Sequence, residues 1–214
     1  GFLVSEDVVI PAVHAISKYL FHKTESIEVI FKDTNGNKVI REATPILPKM
    51  ADIDDLEIIA LKLNEPIYKT NYLDCINYNF ENVTDVFAYG YPAVRQNNGT
   101  LIELKVLGQD NEGYLDLTVK DPIQDYHGCS GGPLLYKNFV VGVMLAQISE
   151  GSSASRIDVV SLNKYEFYFK EIGIEIFEKA SDIYQFDEYL MGCTNPKISL
   201  NFFDYEEKEF EDNF

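Results

Sequence analysis

Cysteine is scarce: Cys75, Cys129 and Cys193 are the only three in a chain of 214 residues. An odd, scattered set builds no disulfide framework, and no C-x-x-C pair offers a zinc site. The pattern favours a reducing, cytoplasmic setting. Cations are also short, with 18 Lys and Arg against 35 Asp and Glu and a formal net charge of -17. Phosphate contacts need clustered Lys and Arg, so direct nucleic-acid binding is not expected and a protein or peptide partner is. No apolar run approaches the roughly 20 residues that span a bilayer. The opening Gly1-Phe2-Leu3-Val4-Ser5-Glu6-Asp7 has no basic leader ahead of an apolar stretch. Neither a membrane anchor nor a signal peptide is expected, and no cofactor or metal.

What the chain does have is a series of short apolar or alternating runs, dominant to about residue 161. They are Phe2 to Val4, Val8 to Ile10, Ile27 to Phe31, Leu56 to Leu63, Val86 to Tyr89, Leu101 to Leu107, Leu115 to Val119 and Phe139 to Leu145. Turn signals separate them at Asp33 to Asn37, Asn97 to Gly99 and Asn111 to Gly113. This predicts an all-β body. Between Leu162 and Lys179 the spacing becomes helical, predicting an amphipathic segment packed on that body. Beyond Ala180 the chain is acidic and aromatic, read either as a wrapping strand or solvated tail, or as a docking or inhibitory segment.

The most informative stretch is Asp125-Tyr126-His127-Gly128-Cys129-Ser130-Gly131-Gly132-Pro133-Leu134-Leu135, a glycine-rich turn that presents one hydroxyl. Attack on a carbonyl creates an oxyanion that needs two fixed donors about 3 Å away. The backbone N–H groups of Gly128 and Ser130 are the candidates. Glycine at 128 lets its peptide turn inward, while glycines at 131 and 132 are expected to let a substrate backbone approach. The stretch also satisfies G-x-S-x-G, but that hydrolase elbow needs a histidine after the serine. All three histidines, His14, His22 and His127, precede Ser130.

A general base must come from elsewhere in the chain. His14 follows the apolar hairpin Phe2 to Val13 and is the candidate. His22 reads as surface, and His127 is too near Ser130 in sequence to serve as base but can line the substrate pocket. The base needs an acid on its other nitrogen, and Asp52, Asp54, Asp55 and Glu57 are available. Strand alternation puts Asp55 and Glu57 on one side and does not choose between them.

These residues resemble the chymotrypsin-like, or trypsin-like, serine protease family, particularly its bacterial intracellular, disulfide-free members. Gly1 to Val4 followed by Ile10-Pro11-Ala12-Val13-His14 looks like the family's G-x-G-F-[LV]-[VI] strand and T-A-A-H turn, with Pro11 in place of threonine. Glu57 to Ile67 is similar to D-I-A-L-L-K-L-x-x-P, which puts Glu57 at the family's aspartate and leaves Asp55 as the alternative. Tyr89-Gly90-Tyr91-Pro92 looks like its G-[YF]-P turn. Gly128 to Leu135 matches G-D-S-G-G-P-L with Cys129 at the aspartate, a replacement that cannot bind a new N-terminal ammonium group.

The resemblance implies two antiparallel six-stranded-type β-barrels, at 1–70 and 71–161, then a helix and acidic tail at 162–214. It implies a catalytic set of His14, Glu57 (or Asp55) and Ser130, with an oxyanion hole at Gly128 and Ser130. Gln124, Asp125 and His127 would border the substrate pocket, with Leu145, Ala146 and Gln147 as the strand that pairs with substrate. Asp125 would favour a basic substrate side chain and Arg156 an acidic one, so the charges point both ways. The chain begins inside the first barrel, suggesting a piece of a longer polypeptide with a regulatory module or fused sensor domain, read as an effector in antiviral defence. A catalytically inactive, peptide-binding relative is the competing reading, motivated by Pro11, the displaced acid and the tail.

Overall fold

The computed structural model describes residues 1–22, 27–32, 37–49, 55–68, 72–80, 85–92, 99–120, 122, 125–150 and 153–177. The acidic aromatic tail, Gln124 and two of the turn signals, at Asp33 to Asn37 and Asn97 to Gly99, lie wholly or mostly outside them.

Five strands form the first sheet: β1 (Phe2–Ser5), β2 (Val8–Ile10), β3 (Ile27–Lys32), β4 (Lys38–Ile46) and β5 (Ala60–Leu63). Their order is β1-β2-β5-β4-β3 and every pairing is antiparallel. One face buries Leu3, Val9, Ile27, Ala43, Ile59, Leu61 and Leu63 as a curved half-barrel core.

The second sheet holds β6 (Cys75–Ile76), β7 (Asp85–Gly90), β8 (Thr100–Gln109), β9 (Tyr114–Val119), β10 (Pro133–Tyr136), β11 (Phe139–Glu150), β12 (Ser153–Ser161) and β13 (Ile176–Phe177). The order β10-β7-β8-β9-β12-β11 closes through an additional β10–β11 pairing into a six-stranded barrel. Such closure removes the free strand edges. β6 and β13 attach in parallel alongside β11. The expected turn at Asn111 to Gly113 is present: Asp110 Oδ1 accepts the N–H groups of Glu112 (2.9 Å) and Tyr114 (2.8 Å), and Gly113 takes φ +90°.

A third apolar cluster joins the two sheets. It combines Phe2, Val8, Ile10, Ile58 and Ala60 with Val140, Val143, Leu162, Tyr165, Tyr168 and Phe169. The last four project from a 3-10 turn, Leu162–Tyr165, and the short helix that follows it, Glu166–Glu171. The buried Tyr168 hydroxyl accepts the Ala60 N–H at 2.8 Å and donates to the Ile46 carbonyl at 2.6 Å, tying β4 and β5 together at their register pair. Burial pushes this phenol up to about 12.

Several details depart from the sequence reading. The run Leu56 to Leu63 is a strand only from Ala60, because Pro11 has no N–H to continue the ladder from β2; Ile58 makes an isolated bridge with Ala12 instead. The helical segment expected to Lys179 stops at Glu171, where Gly173 adopts φ +77° and the chain turns into β13. β4 was not expected, since its burial alternates between exposed and half-buried and it carries Arg41, Glu42 and Pro45. Nor was the first helix, α1 (Ser17–His22), which is under two turns long; the helix Glu166–Glu171 is α2. Among the described residues no helix is long and apolar enough to cross a membrane.

Candidate active site

Ile10 ends β2, Pro11 and Ala12 cross to the Ile58 bridge, and a 3-10 turn, Val13–Ile16, carries His14 out to solvent. The turn runs into α1, where the Ser17 hydroxyl donates to the His14 carbonyl at 3.0 Å. Glu57 lies directly across: its carbonyl accepts the Val13 N–H at 2.8 Å.

The Ser130 loop is folded on itself. The Cys129 N–H donates to the Tyr126 carbonyl at 3.0 Å, and the Gly132 N–H to the Cys129 carbonyl at 2.9 Å. The Gly131 N–H, at φ +79°, reaches the Met144 carbonyl at 2.7 Å. A side chain at Gly131 would come within 2.7 Å of the Ala12 nitrogen, and one at Gly132 within 2.4 Å of the Tyr89 carbonyl oxygen. Both glycines therefore face protein and dock the loop against the first sheet and β7; the expectation that they clear space for a substrate backbone is corrected. Gly128, at φ +95°, and Ser130 present N–H groups with no hydrogen-bond partner among the described residues.

One cavity of about 640 Å³ collects much of the expected site: His14, His127, Ser130, Leu145 and Ala146, together with Tyr126, Cys129, Met144 and Ile157. Glu57, Asp55 and Asp125 are not among its described lining residues. Ser130 Oγ donates to the Leu145 carbonyl at 2.9 Å, and no hydrogen bond joins His14 to Ser130 or to Glu57. The Glu57 carboxylate is taken by groups the sequence reading missed: the hydroxyls of Tyr114 and Tyr165, and Lys164 Nζ at 3.2 Å. The hydrogen bond to Glu57 raises the Tyr114 phenol above its usual range. Their only sequence signal is a cluster of aromatic and basic residues in the helical segment, 107 to 108 residues from Glu57, and in β9, 57 residues away. Asp55 is exposed.

The two charges expected to set specificity both have partners. Asp125 Oδ1 accepts the His127 N–H at 2.9 Å and also meets the His127 ring. Arg156 grips Asp116 with both ends of its guanidinium, Nε to Oδ1 at 2.9 Å and Nη2 to Oδ2. β11 pairs with β12 along its length, whereas β10 leaves it after Val143. From Leu145 to Gln147 the flank opposite β12 is therefore without a strand among the described residues; the Gln147 side chain lies outside them. Among the described residues no three His, Cys, Asp or Glu side chains gather as a metal site.

A closed six-stranded barrel beside a half-barrel, with Ser130 and His14 opening on one cavity, defines a chymotrypsin-like double-barrel protein. No family model and no curated protein matches the chain. Solved structures do. The scabies mite inactivated protease paralogue SMIPP-S-I1 superposes with TM-score 0.62 at 17% identity, covering 79% of this chain and 85% of that one. Kallikrein-related peptidase 10 gives 0.59 at 15%, covering 79% and 86%. Deg5 gives 0.58 at 17%, covering 78% and 82%. The fold is thus that of the trypsin and chymotrypsin proteases.

Proposed function

We propose that this chain is a serine endopeptidase acting on a protein substrate, with Ser130 as nucleophile, His14 as general base and the N–H groups of Gly128 and Ser130 as the oxyanion hole. The observation that carries this reading is the convergence of Ser130 and His14 on one cavity, beside two backbone donors without partners among the described residues. In the reaction Ser130 Oγ turns from the Leu145 carbonyl toward His14, which takes its proton as the Oγ–carbon bond forms. The same proton passes to the departing amine as the peptide C–N bond breaks, and water then releases the acyl group by the reverse relay. Substrate pairs with the open flank of β11 at Leu145 to Gln147. Glu57 is the acid behind His14, with Asp55 as the alternative; the Glu57 carboxylate must exchange its tyrosine partners to serve.

The resting hydrogen bond from Ser130 to Leu145 supports a regulated enzyme, in keeping with a regulatory module or fused sensor as partner. Scarce cysteine supports a cytoplasmic setting.

The second reading, an inactive protease-like module that binds peptides in the same groove, is favoured by the Glu57 carboxylate being held by Tyr114, Tyr165 and Lys164. Intact-mass analysis after fluorophosphonate treatment separates the two. The endopeptidase reading expects one adduct on the parent and on Cys129→Ser, and none on Ser130→Ala. Absence of adduct from the parent, with peptide binding intact by calorimetry, would establish the second reading.

A further inference from the structure

The cavity beside Ser130 has a polar rim and an apolar interior. His14 and His127 are exposed at its mouth and Ser130 is half-buried, while Tyr126, Cys129, Met144 and Ile157 are buried inside it. Leu145 and Ala146 complete the wall nearest the open flank of β11. Among the described residues no carboxylate, lysine or arginine lines it. Cys129 adds no charge, since burial and the nearby Asp125 push its thiol up to about 11. The sequence offered Asp125 and Arg156 as opposing guides to specificity, and the structure engages the first with His127 and the second with Asp116.

We infer that this cavity selects an uncharged apolar side chain, aromatic or long aliphatic, on the residue whose carbonyl is attacked; the inference rests on the endopeptidase reading. A peptide laid along Leu145 and Ala146, with that carbonyl at the Gly128 and Ser130 N–H groups, drops the adjoining side chain between the two walls. A volume of about 640 Å³ accommodates the largest aromatic. The thioether of Met144 is the adaptable surface within, able to follow flat or branched shapes. A guanidinium, ammonium or carboxylate would meet no charged side chain among the described lining residues and would lose its water there.

The test uses the intact chain and tetrapeptide aminomethylcoumarin amides that differ only in the acylated residue: phenylalanine, leucine, arginine or glutamate. On protein shown to take a fluorophosphonate at Ser130, kcat/KM for the two apolar substrates should exceed that for the charged pair by roughly 100-fold. Equal or better cleavage of the arginine or glutamate substrate overturns the inference while leaving the endopeptidase reading intact. If no adduct forms, that reading fails separately. Selection is then read by calorimetry with the corresponding acetyl-tetrapeptide acids, where tighter binding of the phenylalanine peptide upholds the apolar cavity and equal binding removes it. Ala146, exposed on the rim, supplies a second arm with little risk to folding. Ala146→Glu should move the arginine-to-phenylalanine ratio at least about 10-fold toward arginine, and an unchanged ratio would mean that the side chain goes elsewhere.

Discussion

Tyr165 grips Glu57 twice: its hydroxyl donates to Glu57 Oε2 and accepts the Glu57 backbone N–H at 3.0 Å. Lys164 Nζ adds a 3.2 Å contact to Oε1 and lies 2.9 Å from the Tyr114 hydroxyl, which also bonds Oε1. A half-buried carboxylate just ahead of β5 is thereby held by Tyr114 of β9 and by Lys164 and Tyr165 of the 3-10 turn that follows β12.

Tyr165→Phe strands both the Glu57 N–H and one carboxylate oxygen, and a half-buried polar group left unpaired costs about 1–3 kcal/mol. The melting temperature should fall by about 2–10 °C. Calorimetric melts of Tyr165→Phe, Glu57→Gln and the double variant give the coupling, and additive losses would mean the two side chains do not support each other.

The acid behind His14 can be assigned by activity. On the proposed assignment Glu57→Gln lowers kcat by about two to four orders of magnitude while Asp55→Asn stays within about 3-fold, since an imidazole without its orienting carboxylate takes the wrong tautomer. The reverse pattern would transfer the role to Asp55. Similar kcat for both variants and the parent would leave Ser130 and His14 as a dyad.

Two glycines with positive φ separate packing from backbone strain. Gly173 (φ +77°) faces open space, so Gly173→Ala should cost about 1–2 kcal/mol from the left-handed backbone alone. Gly131→Ala adds a 2.7 Å collision with the Ala12 nitrogen and should cost clearly more while displacing the Ser130 loop. Urea titrations showing equal losses would contradict the docking of that loop against the first sheet.

Burial and then the neighbouring Asp116 raise the Asp158 carboxyl above its ordinary range, with Arg156 opposing them. A carboxyl raised in the folded state penalises folding above its folded pKa, and the penalty fades as pH falls from there to the unfolded value of about 3.9. Asp158→Asn should therefore stabilise by a few tenths of a kcal/mol, roughly, at pH 7 after solvent screening, with the gain lost near pH 3. Asp7 runs the other way: its hydrogen bond to Lys62 lowers its pKa, so its contribution is full above the unfolded value and is lost as pH falls through the folded one. Asp7→Asn should be destabilising at pH 7 and neutral in acid, as pH-dependent melts would record.

The thiols of Cys75 and Cys129 are buried and both are raised by desolvation. Iodoacetamide at pH 8 should leave both unmodified in the folded protein and label both in denaturant, read by peptide mapping. Rapid native labelling of Cys129 would show that the loop opens.

The features that sequence reading found were local. A glycine-rich turn around Ser130 and an apolar hairpin leading to His14 each fit within about a dozen residues, so their strands and turns were readable from alternation and turn chemistry. That both residues open on one cavity required the half-barrel and the barrel to meet, and the resemblance supplied that step. The grip on Glu57 was illegible because its partners lie 57, 107 and 108 residues along the chain. Met144 and Ile157, likewise, are indistinguishable in sequence from any strand-interior core residue. α1 was missed for want of length, and the segment after Ser161 was overextended because the left-handed turn at Gly173 was not recognised as its end.

Two backbone donors of the first sheet, at Glu57 and Ala60, find their acceptors on hydroxyls made 108 residues later. During synthesis, a ribosome-bound chain that has yet to extend past Tyr168 holds His14, Ser130 and every strand from β1 to β12 but lacks the clasp between its halves. The clasp between the halves therefore closes only after all of these strands have been made.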